Sequence, residues 1–375
     1  MFDASMALAG ELTVRPGMAM PDNLRSSRPV WASSLAPGSQ AAQLPMLLAS
    51  VFSNCAEAHR ICSQWACDAA RGCGNQPQDF ALARLHAETL REHLRRIALD
   101  WPGRLMPGAE GARIHLQAMK CLREAPVLPG RPLDEWIKGL PSLLPWIEQV
   151  WLGMSARAWV SGWERDAHGW LELWSEESES WLARLMLEAR DAADREVCCA
   201  PALRVHDSDS ELAEFAQQLQ SGETTGHQPK WRGLSAETGC WTRLCEGTPS
   251  MYRTPWLKMG ARIAEVARLA TRNRETTHLR GGQITLEKSH GIAWIEMARG
   301  VLMHRVELDG ERVNRCDVVA PTEWNFHPQG AVARTLEMQK SLPSDHIIAL
   351  MTAYDPCVNY RIETQQSRIG ALQHA

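Results

Sequence analysis

Five tryptophans, Trp159, Trp163, Trp170, Trp174 and Trp181, recur at spacings of 4, 7, 4 and 7 residues. At about 100° of rotation per residue in an α-helix, all five fall within about 60° of one another. Such a stripe reads as a buried helix–helix seam; a cofactor box or a membrane face is the competing reading. The opposite face is polar and acidic, with "SEESES" at 175–180, which suits a seam. The chain holds 16 Trp against 3 Tyr and 5 Phe, so much of its aromatic packing must be indole. A body rich in packed helices is expected.

Other segments agree. "DFALARLHAETLREHLRRIAL" (79–99) is amphipathic at helical period and is closed off by Pro102. A further helix should begin near Asn54, where Asn54 and Glu57 have capping-box spacing, and stop near Gly72. Pro126, Pro129, Pro141 and Pro145 should interrupt the helical pieces between them. Residues 206–230 are rich in Asp, Ser, Gly and Gln and read as a long exposed connection. Residues 1–45 carry one alternating stretch, "ELTV", in otherwise irregular sequence; residues 46–375 read as one domain. Near the C-terminus, "ARGVLMHRVELDGERVNRCDVVAP" predicts two strands about Asp309-Gly310, with Leu302, His304, Val306 and Leu308 on one face. The expected class is α+β, mainly helical, with a small C-terminal β-hairpin region.

Charge and cysteine usage exclude several functions. At 375 residues the chain can bury a large core. A net charge of −4 argues against a nucleic-acid partner. No run approaches the roughly 18 apolar residues of a membrane span. The N-terminus lacks a basic n-region before an adequate apolar run. Eleven scattered cysteines suit a reducing compartment, so a cytoplasmic location is expected.

Cys55 stands where the first helical turn should favour a thiolate, with His59 one turn on. Cys62, Cys67 and Cys73 follow at spacings of 7, 5 and 6, which give no CxxC zinc pattern. A protease-type Cys–His pair finds no other hydrolase signature in the chain. Buried packing explains Cys62 and Cys67 but explains Cys55 poorly. Cys357 is presented rigidly by Pro356 in "DPCVNYRIE" (355–363), without a usual metal partner after it.

Five stretches in order, "NCAEAHR" (54–60), "SAETGCWTR" (235–243), "EMARGVLMH" (296–304), "APTEWNFHP" (320–328) and "DPC" (355–357), together resemble the large subunit of nickel–iron hydrogenases. The resemblance covers most of 50–75 and nearly all of 228–360. It implies that family's fold, and its departures bear on function. Of the four metal-binding thiolates in the catalytic subunit, the resemblance retains Cys55 and Cys357 as metal ligands. Phe52 and Tyr360 stand where their companions should be. Glu363 falls where a histidine marks C-terminal processing, so no cue for such processing is expected.

With half the thiolates gone, a normal nickel site is not expected. The pattern is similar to the hydrogenase accessory proteins of the HupK and HoxV type. That resemblance implies a non-catalytic maturation scaffold holding an Fe(CN)2(CO) unit transiently, without nickel. Its implied partners are a HypC-type maturation chaperone, the HypC–HypD complex and the hydrogenase large-subunit precursor, with no nucleic acid or membrane. By the same resemblance Arg299 and Thr322 would contact the cyanides, although a carboxylate pair for Arg299 and a turn cap for Thr322 compete. His59, His304 and Asp355 would support the site from behind, and Trp324 and Asn325 are structural. A metal-free chaperone or partner-binding homologue is the alternative, and a divergent catalytic subunit is a third reading.

Overall fold

The computed structural model describes residues 9–73, 79–244, 251–271, 278–338 and 342–363. The N-terminal segment is more ordered than its sequence suggests. β1 (Glu11–Val14) pairs antiparallel with a second strand, β2 (Leu24–Ser26), before the short helix α1 (Trp31–Leu35). Leu12, Val14 and Leu24 are buried in the main hydrophobic core. Helices α2 (Leu44–Val51) and α3 (Ala56–Ala70) flank a 3-10 turn, Ser53–Cys55.

The capping box expected at Asn54 and Glu57 does not form. No side chain of its own caps α3, and Asn54 instead donates to the Cys357 carbonyl at 3.3 Å. The cap comes from α4 (Asp79–Leu99), whose Glu88 carboxylate accepts the N–H groups of Glu57 and Ala58 at 2.9 and 2.8 Å. Glu57 is drawn away by Arg60 and Arg84.

Pro102 opens rather than ends a helix, sitting in the first turn of α5 (Trp101–Leu105), where its missing N–H costs nothing. After α6 (Ala109–Arg123), helix α7 (Leu133–Trp146) runs through both Pro141 and Pro145. Four residues apart, they share its exposed side, where water can take the carbonyls that they free. A π-helix, Ile147–Leu152, continues directly from it.

The tryptophan stripe is buried, but it belongs to three helices rather than one: α8 (Ala156–Arg165), α9 (Ala167–Glu177) and α10 (Trp181–Ala193). Ser155, Asp166 and Ser180 cap them by accepting the N–H groups of Ala158, Gly169 and Ala183. Trp159, Trp163, Trp174 and Trp181 are buried, and Trp170 is half-buried. Trp159 stacks on Trp163 and meets Trp174 edge-on.

The stretch read as an exposed connection contains α11 (Asp209–Ser221), capped by Ser208. Its Leu212, Phe215, Ala216 and Leu219 form a buried stripe whose helical spacing the polar neighbours masked. Helix α12 (Cys240–Leu244) leads towards α13 (Pro255–Thr271), which is buried at nearly every position.

The C-terminal β region is an antiparallel meander of four strands, larger than the expected hairpin. Its order is β3 (Gly281–Glu287), β4 (His290–Met297), β5 (Gly300–Asp309) and β6 (Arg312–Val319). The β5–β6 loop is Gly310-Glu311, one residue later than the sequence suggested, with Gly310 taking the positive φ of 58°. Leu302, Val306 and Leu308 join the main core while Val301 and Met303 join a second cluster, so β5 is covered on both faces. Helices α14 (Pro321–Asn325), α15 (Ala331–Met338) and α16 (Ser344–Tyr354) follow. β7 (Asn359–Ile362) then pairs in parallel with β1, which brings the two ends of the chain together beside Cys357. The class is α+β, mainly helical.

Candidate functional site

Cys55 and Cys357 lie 302 positions apart in sequence and open on the wall of one cavity of about 700 Å³. The cavity is also lined by Arg28, Phe52, Arg299 and Thr322. The structure thus brings together all four residues proposed for the site. Among the described residues, no group of three or more His, Cys, Asp or Glu side chains could hold a metal ion.

Cys55 ends the 3-10 turn and precedes α3, but it does not gain the helix N–H groups expected to favour a thiolate. Glu88 has taken those of Glu57 and Ala58. Burial therefore pushes the Cys55 thiol well above its usual range, and the opposing pull of Arg299 does not reverse it. Cys357 is half-buried. Thr322, at the start of α14, accepts the Cys357 N–H at 3.3 Å and donates its hydroxyl to Cys357 Sγ at 3.2 Å.

Asp355, two residues earlier, supplies the rigid presentation. It caps α16 in the left-handed conformation, at φ 49°, and its N–H bonds to the Met351 carbonyl at 2.9 Å. Its buried carboxylate meets Arg262 Nη1 at 2.7 Å, Arg299 Nε at 3.1 Å and Arg96 Nε at 3.8 Å. Arg299 and the two other guanidiniums hold this carboxylate well below the usual range although burial opposes them. Arg299 Nη2 also donates to Glu92 at 2.7 Å, whereas Nη1 is buried without a hydrogen-bond partner. A guanidinium fixed on two sides with one donor unpaired can still give a charge-assisted hydrogen bond.

Phe52 caps α2 and lays its ring on His59, 4.0 Å between centroids and 15° from parallel. His59 Nδ1 is 3.1 Å from His304 Nε2. Burial lowers both imidazoles well below their usual range, to about 3 for His304, so the pair is neutral. Tyr360 is placed differently: it sits in β7 opposite Leu12, with Arg104 over its ring at 5.5 Å, away from the cavity wall.

The "SAETGCWTR" stretch does not touch the cavity. Glu237 pairs with Lys258 at 3.4 Å and accepts from the Tyr354 hydroxyl at 2.8 Å. Arg243 Nε bonds Glu265 at 2.9 Å, and Asn325 bonds both the N–H and the carbonyl of Thr238. These contacts run along α13, where Lys258, Arg262 and Glu265 meet Glu237, Asp355 and Arg243 in turn. Three buried charges at helical spacing in a largely apolar helix signalled such a network, and sequence reasoning passed over them. It also missed Glu88, Glu92 and Arg28, whose partners lie far off in sequence.

A family model for nickel-dependent hydrogenase matches residues 256–359. The chain is 34% identical, over 99% of its length and 99% of the relative's, to the hydrogenase expression/formation protein HoxV of Cupriavidus necator. It is 29% identical, over 88% of its length and 89% of the relative's, to the hydrogenase expression/formation protein HupK of Bradyrhizobium diazoefficiens. In fold it is similar to an NAD+-reducing NiFe hydrogenase in the H2-reduced state, with a TM-score of 0.55 and 14% identity over 89% of this chain and 91% of that one. The reduced, active NiFeSe hydrogenase of Desulfomicrobium baculatum gives a TM-score of 0.53 and 12% identity over 89% and 93%. The chain therefore belongs to the HoxV/HupK family of hydrogenase expression/formation proteins, and its fold is that of a nickel–iron hydrogenase large subunit.

Proposed function

We propose that this maturation protein is a non-catalytic scaffold that holds an Fe(CN)2(CO) unit between Cys55 and Cys357 before the unit passes to a hydrogenase large-subunit precursor. The observation that carries the reading is the shared cavity, lined by two thiols far apart in sequence and by buried Arg299, whose Nη1 has no hydrogen-bond partner. Two thiolates alone make a poor site for a bare metal ion. They suit an iron that arrives with diatomic ligands already filling most of its coordination sphere.

Charge supports the same reading. Ferrous iron with two cyanides and two thiolates has a formal charge of minus two, which a buried site must compensate. Arg299 lines the cavity and keeps a donor without a partner, while Thr322 steadies the sulfur of Cys357. The Cys55 thiol, pushed up by burial, must lose its proton to ligate, so loading releases a proton and acid favours unloading. That is a useful property in a carrier. HypC-type chaperones, alone or as the HypC–HypD complex, are the proposed source of the unit, and the protein would act in the cytoplasm.

Metal analysis of cysteine variants, made alongside the full maturation machinery and purified without oxygen, tests the assignment. Cys55→Ser and Cys357→Ser should each lose most of the iron. Cys62→Ser and Cys198→Ser, whose sulfurs do not line the cavity, should keep it. Equal loss at all four positions would refute the pair, and a metal-free wild type would favour a chaperone that binds partners only.

A further inference from the structure

We infer that Arg28 is a second guanidinium for the anionic ligands of the iron unit, brought over the cavity by the N-terminal segment. This inference rests on the proposed function. Arg28 lies two residues beyond β2, and β2 is tied through β1 to β7, the strand that follows Cys357. The sheet therefore fixes Arg28 relative to the cysteine. Its side chain is 11% exposed and lines the same cavity as both thiols. Its hydrogen-bond partner among the described residues is Glu323, next to the threonine that touches Cys357.

Two comparisons give Arg28 this role. The first is donor supply. A hydroxyl has one proton to give, and Thr322 gives it to Cys357 Sγ. Of the residues expected to meet the cyanides, only Arg299 keeps a free donor, so one cyanide lacks a partner. Arg28 has further N–H groups beyond the one facing Glu323.

The second comparison is charge. Arg299 is balanced by two buried carboxylates, Glu92 and Asp355. Among the described residues Arg28 has Glu323 alone, and burial pushes that carboxyl above its usual range. Arg28 is thus less compensated than Arg299, and an anion entering the cavity meets it at little cost to the rest of the fold.

The test compares wild type, Arg28→Gln and Arg28→Lys, each made with the full maturation machinery and purified without oxygen. In Arg28→Gln the iron content should fall several-fold and one of the two cyanide stretching bands should move, while Arg28→Lys should recover much of the iron. Wild-type iron content and unmoved bands in Arg28→Gln would overturn the inference. A wild type without iron or bands would instead fail the underlying reading, and the role of Arg28 is then read on the metal-free protein. There, alkylation of Cys357 by iodoacetate, relative to neutral iodoacetamide, should drop several-fold in Arg28→Gln and stay near wild type in Arg28→Lys. An unchanged ratio would show that Arg28 does not draw anions to the site.

Discussion

The Nε of Arg299 lies 3.1 Å from Asp355 Oδ2, and both side chains are buried. The contact joins the residue two positions before Cys357 to the loop between β4 and β5, so the cysteine and the Arg299 guanidinium are set by one ion pair. Arg262 holds the same carboxylate from behind at 2.7 Å. Asp355→Asn leaves three guanidiniums, those of Arg262, Arg299 and Arg96, without their shared counter-charge and should destabilise the protein by roughly 3–5 kcal/mol. Denaturant unfolding measures this, and a loss below about 1 kcal/mol would show that Glu92 alone can hold Arg299.

Glu88 gives the helix that follows Cys55 a pH dependence. Its carboxyl is pushed from the ordinary 4.5 up to about 7, mainly by burial. The folded state binds this proton more tightly than the unfolded chain, so the contribution is full below about 4.5 and is lost as pH rises through about 7. Relative to Glu88→Gln, wild type should lose roughly 1–3 kcal/mol of stability between these limits. Parallel pH profiles for the two proteins would contradict the assignment.

The tryptophan cluster should respond according to burial. Trp159→Ala should cost roughly 3–5 kcal/mol, as for other fully buried large aromatics. Half-buried Trp170 should cost less. The reverse order in thermal or denaturant unfolding would mean that the half-buried ring is the anchor of the three helices.

Phe52 and Tyr360 are not equivalent replacements. Phe52 is on the cavity wall, whereas Tyr360 is turned towards Arg104 by the pairing of β7 with β1. Phe52→Cys should therefore place a third thiol beside Cys55 and Cys357. Titration of the metal-free protein with cobalt(II) should show stronger sulfur-to-cobalt charge-transfer absorption in Phe52→Cys and no gain in Tyr360→Cys. Equal gains would mean that β7 can turn its side chains inward.

What could be read from the sequence was whatever depended on local pattern or on ordered motifs. Cys55, Arg299, Thr322 and Cys357 were selected by stretches hundreds of residues apart, and the fold class followed from the same resemblance. Long-range capping escaped, because nothing near Cys55 announces that Glu88 on another helix will take its N–H groups. Periodicity misled at 159–181, where a regular spacing continues across the caps at Asp166 and Ser180. In α11 it was hidden, because polar residues surround Leu212, Phe215, Ala216 and Leu219. The first 45 residues looked irregular because strands of four and three residues carry almost no pattern. Their order comes from pairing with a strand near the other end of the chain, and Arg28 was missed with them.

The infrared spectrum, read together with the metal content of the same sample, tests the scaffold most directly. Protein purified without oxygen from cells making the complete maturation set should contain iron without stoichiometric nickel, and should show bands in the cyanide and carbonyl stretching regions. It should not oxidise hydrogen. One equivalent of nickel with hydrogenase activity would contradict the scaffold in favour of a catalytic subunit, and neither metal nor bands would contradict it in favour of a metal-free chaperone.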